Sequence, residues 1–203
     1  MLKIYHMPPS RSERIVWLAE EMGLPYEVIP TPIFGERPEG FKDVSPLGQL
    51  PAIEDGAVRM IESVAIMQYL LARYGPSPLA VAPEEADFPA YLQYLEFGEA
   101  GLCAIGNAYV ATRFRAPDDQ KQNWTLDYVL SAMRKRLGMV EAYLEGRDYM
   151  AANRFTAADI SVAWGIGIFK YLGVVEGHSP RLQAYHERVA NRPAYLRASA
   201  KLD

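Results

Sequence analysis

Over roughly its first third the chain interleaves short alternating runs with helical periods; after that only helical periods remain. Leu2-Lys-Ile-Tyr5 alternates as a strand does, and Arg11 to Met22 carries Ile15, Leu18, Ala19 and Met22 at three-to-four-residue spacing, which predicts an amphipathic helix. Gly23 follows at a C-cap position. Tyr26-Glu-Val-Ile29 reads as a second strand, ended by Pro30 and Pro32. Pro51-Ala-Ile-Glu54 and Ala57 to Ile61 flank Asp55-Gly56, a two-residue hairpin signal. Ser63 to Tyr74 predicts another helix, closed by Gly75-Pro76. The order is β-α-β, a loop-rich segment, then β-β-α. The first crossover calls for a parallel strand pair, and the hairpin adds antiparallel strands.

Residues 77–85, with two prolines and little pattern, read as a linker. Helices are expected near 86–113, 118–145, 156–171, 179–191 and 193–200. The third opens on Phe155-Thr156-Ala-Ala-Asp159-Ile160. There Thr156 and Asp159 can exchange hydrogen bonds with each other's amides while Phe155 staples onto Ile160. The division that follows is an α/β unit over 1–76, a linker over 77–85 and an all-helical unit over 86–203.

Composition narrows the field without choosing a function. Half of the 203 residues are hydrophobic and the formal charge is −4, an ordinary globular balance. No basic run invites nucleic acid or an anionic membrane surface. Polar breaks interrupt every apolar stretch, so no transmembrane helix is expected, and the apolar start is too short for a signal peptide. Cys103 is the single cysteine, which excludes intrachain disulfides and Cys-x-x-Cys motifs. His6, His178 and His186 have no metal-ligand spacing, and no glycine-rich phosphate loop exists. A cytoplasmic enzyme or binding protein is the expectation, with no metal.

Candidate chemistry lies in four places. Ser10 and Glu13 form a Ser-x-x-Glu capping box, and Ser10 either caps the helix or donates to an anion held at its N-terminus. Tyr5 is a rival donor at the end of the first strand. Pro51 opens a strand, and its bond to Leu50 is trans on general frequency; a cis bond would turn the Leu50 backbone toward a ligand. Gln49 is then a surface amide or a clamp. Glu62-Ser63 is an ordinary helix start, or a carboxylate and hydroxyl suited to a zwitterion. Tyr109, Arg113, Phe114 and Arg115 cluster near a helix end, while Trp164, Gly165 and Gly167 mark close helix packing.

Taken in order, Ser10-Arg-Ser-Glu-Arg14-Ile-Val-Trp, Ser45-Pro-Leu-Gly-Gln-Leu-Pro51-Ala-Ile, Glu62-Ser63 and Phe155-Thr-Ala-Ala-Asp159-Ile resemble the cytosolic glutathione transferases across both halves of the chain. The resemblance implies a thioredoxin-like α/β domain followed by an all-α domain, assembled as a homodimer, with glutathione as co-substrate. It implies that Pro51 is cis, that Leu50 pairs through its backbone with the cysteinyl part of glutathione, that Glu62 and Ser63 hold the γ-glutamyl end, and that Gln49 lies nearby. In serine-type classes the activating hydroxyl lies four residues before the arginine of the first helix. That points to Ser10, with Ser12 and Tyr5 as competitors. No cysteine occupies this loop, which departs from the thiol-active classes. Met7, Pro8, Tyr109, Phe114 and Trp164 are expected to line the electrophile pocket. The activity implied is conjugation of glutathione to a small apolar electrophile, as in detoxification. A glutathione-dependent lyase, isomerase or ether-cleaving enzyme stays open, and so does a non-catalytic binding module. Such modules usually lose their glutathione contacts, whereas Ser10, Pro51, Glu62 and Ser63 are all present.

Overall fold

The computed structural model describes residues 1–32, 35–174 and 179–200. Two units emerge, one built from Met1–Ala80 together with the chain from Ala190 onward, the other from Val81–Val189.

The first unit is organised by β1 (Leu2–His6), which lies inside a sheet of order β2-β1-β3-β4. β2 (Tyr26–Pro30) pairs with it in parallel, as the crossover requires, and β3 (Ala52–Asp55) pairs with it antiparallel. The hairpin around Asp55-Gly56 then adds β4 (Val58–Ile61), with Gly56 at φ +62 where a Cβ would be strained. Pro30 sits on the edge strand β2, where a missing N–H costs the ladder nothing inward. α1 (Glu13–Met22) starts two residues later than its periodicity suggests, because Arg11 and Ser12 form a tight turn ahead of it. It ends on Gly23 at φ +63, whose amide returns to Ala19 and Glu20 carbonyls. α2 (Phe41–Val44) is a single turn inside the segment read as loop, and α3 (Ser63–Tyr74) follows β4.

The run Ile15-Val-Trp-Leu-Ala19 is buried without interruption, so α1 is covered on more than one side. Part of that cover is α9 (Pro193–Ala200). Tyr195 meets Trp17 edge to face at 4.6 Å, Arg192 forks onto the Glu21 carboxylate at 2.6 and 2.8 Å, and Arg197 Nε reaches Glu20 at 2.7 Å. The pattern of the sequence assigned everything from residue 86 onward to one helical unit; the last helix instead joins the first unit. Periodicity marks a helix but not the surface it packs on.

The second unit is helical. α4 (Phe88–Glu96) and α5 (Ala104–Val110) belong to the segment read as one helix over 86–113, yet wider turns replace the α-helical ladder at Phe97–Cys103 and Ala111–Arg115. The cause of the first is a neighbouring helix. From α7 (Ala157–Tyr171) the Ser161 hydroxyl donates to the Leu95 carbonyl at 2.7 Å, and a Cβ on Gly98 would come 2.2 Å from Ser161 Oγ. α6 (Trp124–Tyr143) starts where Asn123 caps the Leu126 amide at 3.1 Å, six residues inside the expected 118. α8 (Pro180–Ala190) closes the unit. At the start of α7 the expected capping box is present in both directions, with Asp159 accepting from the Thr156 amide at 2.8 Å. Gly165 lets the helix approach Leu102, confirming close packing there, and Cys103 is a buried core residue.

Candidate active site

Strand register decides what meets at one end of the sheet. Tyr5 stands opposite Ala52, and Ala52 opposite Ile61. The chain therefore leaves β1 toward Met7–Ser12, enters β3 from Leu50-Pro51, and leaves β4 into Glu62-Ser63, all at that same end. Segments some forty to fifty residues apart in sequence become neighbours because two antiparallel pairings share β3. Arg14, wholly buried in the first turn of α1, adds a tie: its Nη1 donates to Ser63 Oγ at 3.0 Å. That leaves the Ser63 hydroxyl proton to donate elsewhere.

The loop before β3 is held by its own side chains. The buried Ser45 hydroxyl donates to the Gln49 carbonyl and accepts from the Gln49 amide, both at 2.9 Å, while Gly48 turns at φ +65. Arg37 donates to the Gly48 carbonyl from outside. The Leu50-Pro51 bond is cis, against the general frequency and in line with the family resemblance. Leu50 packs its side chain on the cluster of Tyr5, Phe41, Val44 and Ala52, and its backbone stands just outside the ladder that begins at Ala52. Gln49 is exposed.

Glu62 is a non-glycine residue at φ +75, a conformation that costs on the order of 1–3 kcal/mol and is held only where neighbours enforce it. Its carbonyl accepts the Ile66 amide at 2.9 Å, which fixes the start of α3, and its side chain is exposed beside the buried Ser63. A carboxylate thus stands at a helix N-terminus whose free amides favour an anion.

Three hydroxyl candidates separate clearly. Tyr5 is buried and donates to Glu54 Oε1 at 2.6 Å; burial and that carboxylate push its phenol up to about 12. Ser12 is fully buried, with Oγ at 2.6 Å from His6 Nδ1 and at 2.5 Å from Ser10 Oγ. Ser10 is half-buried. Its capping box forms only in part: Glu13 Oε1 accepts the Ser10 amide at 3.1 Å, but the Ser10 hydroxyl accepts from the Ser12 amide at 3.3 Å, and the Glu13 amide takes the Ser10 carbonyl instead. His6 is 3% exposed, and burial pushes its imidazole down to about 4, so the ring is neutral at physiological pH.

Of the residues expected around an electrophile, Met7 and Pro8 lie half-buried on the loop after β1. Tyr109 and Phe114 meet edge to face at 6.0 Å, with Tyr109 buried and Phe114 exposed, and Trp164 is buried in α7. Sequence reading missed the Ser45 clasp and the Arg14–Ser63 bond. The first had a signal, a serine four residues ahead of Gln49 in a proline-glycine loop; the second shows only as an arginine directly before an apolar run. Among the described residues no cluster of three metal-ligating side chains exists, and no helix is long and apolar enough to cross a membrane. His178 lies outside the described residues.

Comparison with known proteins gives a consistent result. The family model described as "Glutathione S-transferase, N-terminal domain" matches residues 4–78, and "Glutathione S-transferase, C-terminal domain" matches residues 105–196, most of the chain between them. Glutathione S-transferase 3 of Schizosaccharomyces pombe is 27% identical, covering 100% of this chain and 88% of its own length. Glutathione S-transferase 3 of Zea mays is 26% identical over 99% of this chain and 94% of its own. Among solved structures, a glutathione S-transferase of Actinobacillus pleuropneumoniae superposes with a TM-score of 0.79 at 28% identity, covering 100% of this chain and 93% of that one.

Proposed function

The chain belongs to the glutathione S-transferase family, and from that premise we propose that it holds glutathione at the sheet end described above and activates the thiol through Ser10. Leu50, presented by the cis Leu50-Pro51 bond, pairs through its backbone with the cysteinyl part of the tripeptide. Glu62 and Ser63 take the γ-glutamyl ammonium and carboxylate, and exposed Gln49 lies near the tripeptide. The observation that carries this reading is the register: Tyr5 opposite Ala52 opposite Ile61 gathers the Ser10 loop, Leu50-Pro51 and Glu62-Ser63 at one edge. Ser10 is preferred over its competitors because the Tyr5 phenol donates to Glu54 and the Ser12 hydroxyl is fully buried.

The magnitudes are adequate. A free thiol near pKa ~8.5 is only about 3% ionised at pH 7, and lowering it by about 2 units takes about 2.7 kcal/mol of preference for the thiolate. One hydrogen bond to a charged acceptor contributes about 1.5–3 kcal/mol, and a helix N-terminus about 0.3–1 more. No general base is required, and neutral His6 is buried away from that role. The thiolate is the nucleophile. It attacks a small apolar electrophile. The same reading takes glutathione as co-substrate with no metal, and makes the protein a cytoplasmic homodimer acting in detoxification.

Ser10→Ala tests it. We expect kcat/KM for an aryl halide to fall about 10- to 100-fold, the loss of one charge-assisted hydrogen bond, while the variant stays on a glutathione resin. Unchanged turnover removes Ser10 from the mechanism, and failure of the wild-type chain to bind the resin removes the binding site.

A further inference from the structure

Beside Ser10 runs a chain of three polar groups whose protons have to be assigned together. Ser10 Oγ lies 2.5 Å from Ser12 Oγ, and Ser12 Oγ lies 2.6 Å from His6 Nδ1. Ser12 is 0% exposed and His6 3%. Nε2 of His6 is buried with no hydrogen-bond partner among the described residues. Each hydroxyl has one proton, and a neutral imidazole has one to divide between two nitrogens, so the chain can run in only two directions.

If Nε2 carries the proton, a buried N–H is orphaned, Nδ1 must accept from Ser12, and Ser12 accepts from Ser10. The Ser10 proton then points inward. If Nδ1 carries it, His6 donates to Ser12 and Ser12 to Ser10. Only a lone pair on Nε2 goes unused. Buried N–H groups without acceptors are rarer than under-used acceptors, which favours the second direction. The remaining bonds agree with it. Ser10 Oγ then accepts both the Ser12 hydroxyl and the Ser12 amide at 3.3 Å, which occupies its two lone pairs. Ser12 Oγ accepts from Nδ1–H and, at 3.5 Å, from the Met7 amide. With both inner positions filled by donors, the Ser10 proton has nowhere to point but outward.

We propose that His6 and Ser12 are positioning residues: Nδ1–H of His6 donates to Ser12, Ser12 donates to Ser10, and this directs the Ser10 proton onto the glutathione sulfur. The inference rests on the reading of Ser10 given above and adds to it a reason why that serine donates outward. The burial of the imidazole, which keeps it neutral, leaves one proton whose position sets the direction of the whole chain.

Two measurements test it. Nitrogen-15 chemical shifts of the wild-type histidines, assigned through a His6→Asn variant, are expected to show His6 protonated at Nδ1; protonation at Nε2 overturns the proposal, and the Ser10→Ala titration then decides the role of Ser10 separately. Titration of bound glutathione by thiolate absorbance is the second. In Ser12→Ala and His6→Leu the thiol pKa is expected to rise by about 1 unit, with kcat/KM at pH 7 about tenfold lower and KM for glutathione within about twofold of wild type. In His6→Asn, whose amide can donate from near the Nδ1 position, part of the shift is expected to return. Thermal melts show whether each variant is folded, and Ser12→Gly, which also removes the hydroxyl, serves if Ser12→Ala is not. A Ser10→Ala effect on the titration with none from Ser12 or His6 defeats the relay and leaves Ser10 in place. No effect from Ser10→Ala defeats both.

Discussion

Ser10, Ser12 and Tyr5 are three hydroxyls within eight residues, and burial and partners give each a different role. Tyr5 donates to Glu54, Ser12 lies inside, and Ser10 remains at the margin. His6 beneath them has a consequence for stability. Its folded pKa near 4 lies below the unfolded value of about 6.5, so between these the unfolded chain binds more protons. The stability that depends on neutral His6 is complete above about pH 6.5 and is lost as pH falls toward 4, by roughly 3 kcal/mol at most. Urea unfolding at pH 7 and pH 4.5 checks this, and the fall should be smaller in His6→Asn; equal falls in both proteins would contradict it. At this scale the sequence was legible where a residue's type limits its use, as with the hydroxyls and the Glu62 carboxylate. Contacts such as Arg14 to Ser63 were not, because nothing local to residue 14 reports on residue 63.

Capping and close approach govern the elements. Asp159, buried at the start of α7, accepts from the amides of Met150 and Thr156 and from the hydroxyls of Thr156 and Tyr185, at 2.8 to 3.1 Å. Removing it leaves four buried donors without an acceptor. Asp159→Ala is expected to cost about 2–4 kcal/mol, read as a lower urea midpoint; a loss under about 1 kcal/mol would mean the box does little. Gly98→Ala tests the wide turns at Phe97–Cys103. Its Cβ would sit 2.2 Å from Ser161 Oγ and 2.4 Å from backbone atoms of Ser161, so we expect at least about 2 kcal/mol of destabilisation. The box at 156–159 was readable because its residue types sit at a fixed spacing. The wide turns were not, since the hydroxyl that drives them comes from another helix, sixty-six positions from the carbonyl it binds.

For the whole molecule, the α/β order and the later helices follow from pattern, and the thioredoxin-like reading follows from the family resemblance. The allotment of α9 to the first unit does not: it depends on Tyr195 meeting Trp17 and on Arg192 and Arg197 meeting Glu21 and Glu20, pairs more than 170 residues apart. Tyr195→Ala is therefore expected to destabilise the first unit by about 1–2 kcal/mol and to shift the Trp17 emission, as fluorescence-detected unfolding would show. The meeting of Ser10, Leu50 and Glu62 at one sheet end likewise came from register, which the hairpin signal implied only for β3 and β4. That meeting is the central claim, and a crystal structure with glutathione bound addresses it most directly. The sulfur is expected within hydrogen-bonding reach of Ser10 Oγ, the cysteinyl backbone paired with Leu50, and the γ-glutamyl end at Glu62 and Ser63. A sulfur seated against Tyr5, or out of reach of Ser10, would contradict it.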